Sequence, residues 1–346
     1  RVTSDERAVF AFSEDGEFGL WDIGGSPSLR ERSFPSWTFV QARTGARGGV
    51  VAARSARGGL AVLEAATLVP LFTGHESVRP PVRAVDVHPF ERRVLATTMR
   101  GRGERAVTLL ELDLARRPEL VPVPASEAGG RAFPTFVRDL AFDPEGARVA
   151  FAGSDATLRI TTAGGAFEPL AELRGDEELL RLYKVAWSSD GSAVAASCGT
   201  VGDRRLGLYR WMLGGPREGG RLLEAGSVGR GPYSVEFDEA TGRFVAAGRG
   251  TIRAYGLDGD CAVFPTEDAA DRFEDLVHVP EYRQSFLAAA DGTLRVLDPE
   301  LGEEVFTWRF SNRALTDLEW VPERRELVVA AEDGIVRVVR ASPARE

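Results

Sequence analysis

Eight times along this chain a short apolar run, a tight turn and a second apolar run follow one another. The clearest copies are AVFAFSEDGEFGLWD (8–22), SFLAAADGTLRVLD (285–298) and ELVVAAEDGIVRVVR (326–340). More degenerate copies are GVVAARSARGGLAVLE (49–64), RVLATTMRGRGERAVTLLELD (93–113), RVAFAGSDATLRI (148–160), AVAASCGTVGDRRLGLYRW (193–211) and RFVAAGRGTIRAYGLD (243–258). They recur every ~42–49 residues. Asp-Gly between two strand-like runs marks a hairpin, because both residues tolerate positive φ. A unit of this size cannot bury its apolar face alone and must stack against its neighbours. Alanine runs such as Ala195-Ala196 and Ala330-Ala331 favour helix by propensity. Their shortness and the turns that flank them overrule that preference, and no segment reads as an amphipathic helix.

A further alternating run precedes most of the hairpins: Val85/Val87, Leu140/Phe142, Val185/Trp187, Val235/Phe237 and Leu318/Trp320. Turns follow these runs (HPFER, DPEG, SSDG, DEATG, VPERR), and another short run follows each hairpin, as in LVPLF (68–72), PLAEL (169–173) and EEVFTW (303–308). The unit is therefore four antiparallel strands, a to d. Such units repeated around a ring make an all-β propeller. Small residues on strand b let neighbouring sheets approach, and aromatic ends of strand a fill the gap between them. Eight hairpins predict eight blades, with seven the alternative. Residues 1–346 read as a single propeller domain excised from a longer polypeptide. The last repeat supplies a, b and c, and the first supplies b, c and d. The first and last blades are thus expected to be incomplete, with their missing strands lying upstream.

Trp21-Asp22 closes one c strand, and Gly74-His75 precedes one a strand. The segment GHESVRPPVRAVDVHP (74–89) ends in His88-Pro89, and aspartates occupy the turns at Asp15, Asp155, Asp291 and Asp333. On these residues the chain resembles the WD-repeat family, over essentially its whole length. The resemblance implies a ring whose last blade is closed by a strand from the other end of the propeller.

Composition narrows the chemistry. The net charge of -9 disfavours generic binding to nucleic acid or anionic membranes. Cys198 and Cys261 stand far apart with no CxxC, which argues against a disulfide framework or a zinc site and favours a reducing, cytoplasmic setting. Lys184 is the only lysine, so nearly all positive charge is arginine. The three histidines, His75, His88 and His278, stand before or at the ends of a strands and read as structural hydrogen-bond formers. Single turn aspartates read as turn residues rather than calcium ligands. The stretch LDPELGEEVFTW (297–308) is similar to the docking motif of quinoprotein dehydrogenases, with Asp298, Gly302 and Trp308, but does not recur. No catalytic, metal-binding or cofactor residue is assigned, and no enzyme activity is expected.

Loops give the remaining signal. In a propeller the d–a and b–c loops share one face. Arginines occupy the d–a connections, with aromatics beside many of them, including Trp37 and Phe136. The expected partner-binding set is Arg79, Arg131, Arg181, Tyr183, Arg230, Tyr233, Arg272, Phe273 and Arg313. Further arginines, among them Arg54, fall near the b–c turns, and acid such as Glu111, Asp260 and Glu304 falls toward the opposite face. Arginine and aromatics are the residues enriched in binding hot spots. The expectation is a non-catalytic scaffold that docks a protein segment or a neighbouring domain. The alternatives are a propeller enzyme, hydrolase or quinone-dependent dehydrogenase, with its site in the central channel, and a phosphate or nucleic-acid reader.

Overall fold

The computed structural model describes residues 8–12, 18–22, 28–45, 47–74, 81–99, 107–115, 120–122, 136–164, 167–174, 180–200, 206–213, 219–223, 234–239, 241–248, 251–257, 260–265, 272–279, 284–298 and 303–340. The repeats form antiparallel sheets of strands adjacent in sequence, with one exception at the first repeat. Among these residues there are seven four-stranded sheets and one two-stranded sheet. Blades 1 to 6 span 39–74, 82–122, 137–174, 180–223, 234–265 and 273–309. Blade 7 takes its first three strands from 315–340. The innermost strands a are Phe39–Gly45, Val82–Val87, Val137–Phe142, Leu180–Trp187, Ser234–Asp238, Phe273–Val279 and Leu315–Val321. Each lies beside the a strands of the two flanking blades, and the seventh returns to the first.

The core is seven separate apolar clusters, one in each junction between blades. Small and large residues alternate in them for a packing reason. Ala195, Ala196, Ala288, Ala330 and Ala331 on b strands are fully buried, so neighbouring sheets come close. Phe151, Tyr209, Trp211 and Phe244 fill the space that remains.

The expectation of eight blades with incomplete ends is overturned. β1 (Ala8–Phe12) and β2 (Phe18–Asp22) do form the first hairpin, with Phe12 opposite Phe18 and Ala8 opposite Asp22. The next strand, β3 (Ser28–Ser33), does not join them. It pairs with strand c of blade 7, Ile335–Arg340, and becomes that blade's strand d. The ring thus closes with seven blades, and the strand expected from upstream is β3 itself.

The physical reason lies in matched side chains. Glu31 stands directly opposite Arg337 and lies 2.9 Å from it. Glu172 stands opposite Arg159 in the same c–d register of blade 3, 3.7 Å away. Arg30 ion-pairs with Glu326 and donates to the carbonyls of Ala65 and Ala66 in blade 1. The junction beneath it packs Phe34, Trp37 and Phe39 of the entering chain against Val328, Val336 and Val338 of blade 7.

Candidate functional site

Strand a has no ladder partner on its inner edge, so its side chains decide what the central channel contains. In six blades this strand carries a bulge near its start. A bulge leaves one residue unpaired and re-aims its side chain. Blades 2 and 3 place Arg83 and Arg138 there, and the irregular stretch in blade 4 contains Tyr183 and Lys184.

These residues meet across three blades. The Arg83 guanidinium lies 5.6 Å from the centre of the Phe136 ring. Arg138 lies 5.3 Å from the same ring and 4.9 Å from the Tyr183 ring. Arg181, two residues before Tyr183 on the same strand, is half-buried, as are Arg83, Arg138 and Tyr183. Burial lowers the Arg138 pKa; Tyr183 opposes this and Arg181 adds to it. Arg54, on strand b of blade 1, donates to Gln41 at 3.1 Å. Burial pushes its pKa down to about 10, with Arg83 and Arg43 contributing repulsion against the pull of Asp139 and Asp317. The result is an arc of arginine and aromatic side chains on the side of the d–a connections.

Deeper in the channel the charge reverses. Asp139, Lys184, Ser234, Asp275 and Asp317 stand on the a strands of successive blades, from blade 3 to blade 7. Four of them serve the unpaired inner edge of the next blade. Asp317 accepts the Ala42 N–H at 2.7 Å, Asp139 accepts Val185 at 3.1 Å and Asp275 accepts Leu318 at 2.9 Å. Ser234 accepts Leu276 at 3.4 Å. Asp86 accepts Phe142 at 2.8 Å. Arg43 reaches Asp317 at 2.6 Å and Asp139 at 3.6 Å, and Lys184 donates to Asp317 and lies 3.5 Å from Asp275.

Burial would raise Asp317, but Arg43 and Lys184 outweigh it and hold the carboxylate below its ordinary pKa. Its neighbour Asp275 is pushed well up by burial, against the pull of Lys184 and with the help of the Asp317 charge. Beyond this layer Asp86, Glu236 and Glu319 line a cavity of about 240 Å³ together with Arg43 and Lys184. Burial raises Asp86 and Glu236 to about 7 and Glu319 well above the carboxylate range, with Arg43 opposing in each case.

Of the residues expected to bind a partner, Arg181 and Tyr183 belong to the arc. Arg272 is exposed and ion-paired with Glu274 at 2.7 Å. Arg313 is exposed and its N–H donates to Ser311. Phe273 is a correction: it is 1% exposed and packs with Leu276, Leu287 and Ala289 between blades 5 and 6, so it offers no surface. Trp37, read as a loop aromatic, is likewise in the core. Arg79, Arg131, Arg230 and Tyr233 lie outside the described residues. Arg83 and Arg138 were missed because only the bulge turns them to the mouth. Their signal was the repeated Val-Arg that opens two a strands, at 82–83 and 137–138.

The other candidates resolve into structure. His88 accepts the Phe90 and Glu91 N–H groups on Nδ1 and bonds the Gly146 carbonyl of the next blade through Nε2. His278 lies 3.2 Å from both Ser285 and Asp238. Asp155, Asp291 and Asp333 each accept an N–H two residues on, and Asp155 and Asp333 each hold an arginine at i+4 at 2.7 Å. Trp308 is buried between blades 6 and 7. On the face expected to be acidic, Glu111, Asp260 and Glu304 are ion-paired with Arg93, Arg243 and Arg295. Among the described residues no His, Cys, Asp and Glu side chains cluster in a form that would hold a metal ion, and no helix is long and apolar enough to cross a membrane.

Residues 131–161 match the family described as WD domain, G-beta repeat. That segment holds strands a, b and c of blade 3, with Phe136, Arg138, Asp139 and the Asp155 turn. No curated protein matches the chain.

Proposed function

We propose that this chain, a β-propeller of the WD-repeat family, is a non-catalytic protein-interaction module that docks a partner segment or a neighbouring domain on its d–a and b–c loop face. WD-repeat propellers commonly mediate protein interactions. The observation that carries the reading is the stack of Arg83, Phe136, Arg138 and Tyr183 at the mouth of the channel. Arginine and tyrosine supply large contact area and directed hydrogen bonds at low cost in conformational entropy, which is why they dominate hot spots. A seven-blade ring with a separate core in every junction is a stiff platform for them.

The test is capture of partners from the source cell by the wild-type chain and by an Arg138→Glu/Arg181→Glu variant with an unchanged melting temperature. Loss of the captured set in the variant is the expected result. Equal capture by both would remove this face from consideration.

A further inference from the structure

The arc is unusual in what it lacks. Among the described residues no carboxylate lies within ion-pair distance of Arg83, Arg138 or Arg181. Arginines elsewhere in the blades are matched: Arg43, Arg93, Arg148, Arg159 and Arg337 all have acid partners. The Nε atoms of Arg83 and Arg138 are buried and have no hydrogen-bond acceptor. An unsatisfied buried donor is costly, more so on a charged group. Arg54 stands behind them and adds a like charge. Aromatic faces share these cations but do not neutralise them. The mouth thus holds several half-buried positive charges, crowded together with free donors.

We propose that this mouth is a subsite for a carboxylate, and that the partner segment docked there is an acidic peptide. The inference rests on the interaction-module reading and names the chemistry of its partner. Guanidinium forks match carboxylate geometry, and two parallel N–H donors make the pair directional. The channel below sets the depth of entry. Asp317, held ionised by Arg43 and Lys184, repels a second anion, and Arg43 and Lys184 are already committed to Asp317, Asp139 and Asp275. An acidic side chain therefore lies across the mouth and does not thread into the channel. The net charge of -9 disfavours a long polyanion at the same place.

Fluorescence anisotropy at low salt tests this on the full chain. The probe is a labelled Gly-Ser peptide carrying several aspartates. Its counterparts carry asparagine or phosphoserine at the same positions, and a single-stranded oligothymidylate serves as the nucleic-acid arm. The aspartate peptide is expected to bind at least about tenfold more tightly than the asparagine peptide. Arg83→Gln/Arg138→Gln is expected to erase the difference, and Arg92→Gln, at an exposed site in the a–b turn of blade 2 away from the arc, to preserve it. Thermal melts confirm that each variant is folded. Equal binding of the two peptides, or indifference to the double variant, overturns the proposal. Tighter binding of the phosphoserine peptide or the oligonucleotide overturns the choice of carboxylate. If partner capture depends on the arc while the aspartate peptide fails to bind, the interaction module stands and the acidic partner does not.

Discussion

Single residues decide the inside of this ring. Lys184, the only lysine in the chain, sits among Asp139, Asp275 and Asp317. Burial and Arg43 both act to lower its pKa, and the three aspartates outweigh them and raise it. Removing one partner of a buried pair leaves an uncompensated charge and costs roughly 3–5 kcal/mol. Lys184→Met is expected to lose stability in that range by urea unfolding, and adding Asp317→Asn should recover part of it. The raised carboxylates predict an unusual pH response. Asp86 and Glu236 move from ordinary values of 3.8 and 4.5 to about 7 on folding, chiefly through burial. The folded chain then binds more protons than the unfolded chain between about pH 4.5 and 7, so their contribution to stability falls as pH rises through that window. The urea midpoint should be lower at pH 8 than at pH 5.5, with a smaller difference in Asp86→Asn/Glu236→Gln. A midpoint that rises with pH would contradict this account.

Turns set the elements. The Asp-Gly turns were legible in the sequence because the chemistry is local: Gly292 and Gly334 have φ of 88° and 79°, where glycine is unstrained. What local chemistry does not reveal is crowding. A Cβ on Gly292 would stand 2.1 Å from the Ser311 carbonyl oxygen, whereas one on Gly242, with φ of 66°, meets nothing within 4 Å. Gly242→Ala should therefore show only backbone strain, ~1 kcal/mol. Gly292→Ala should cost clearly more, and equal losses by chemical denaturation would show that crowding is not the larger effect. The b–c hairpins, the Ala-rich inner strands and the turn aspartates could likewise be read directly. The bulges could not, since whether one residue drops out of a ladder depends on the partner strand. That is why Arg83 and Arg138, which stand against Phe136 and Tyr183, were not singled out from the sequence.

At the scale of the whole molecule the decisive event is ring closure. β3 completes blade 7, so deletion of residues 1–27 spares every blade and deletion of residues 1–33 opens the ring. The shorter deletion should keep the parent's melting temperature within a few degrees. The longer one exposes the edge of strand c in blade 7 and should melt early and associate on size-exclusion chromatography. Equal behaviour of the two would mean that β3 does not hold the ring. The sequence by itself determined the unit: an antiparallel four-stranded repeat, its turns, its buried faces and a propeller built from it. Periodicity and turn chemistry are properties of neighbouring residues, so they are written locally. Only the tertiary structure decided that eight hairpins make seven blades, and that charged residues on otherwise apolar strands face a shared channel. Both depend on which distant edges meet. Glu31 answers Arg337, and Arg43 answers Asp317, across roughly the whole length of the chain.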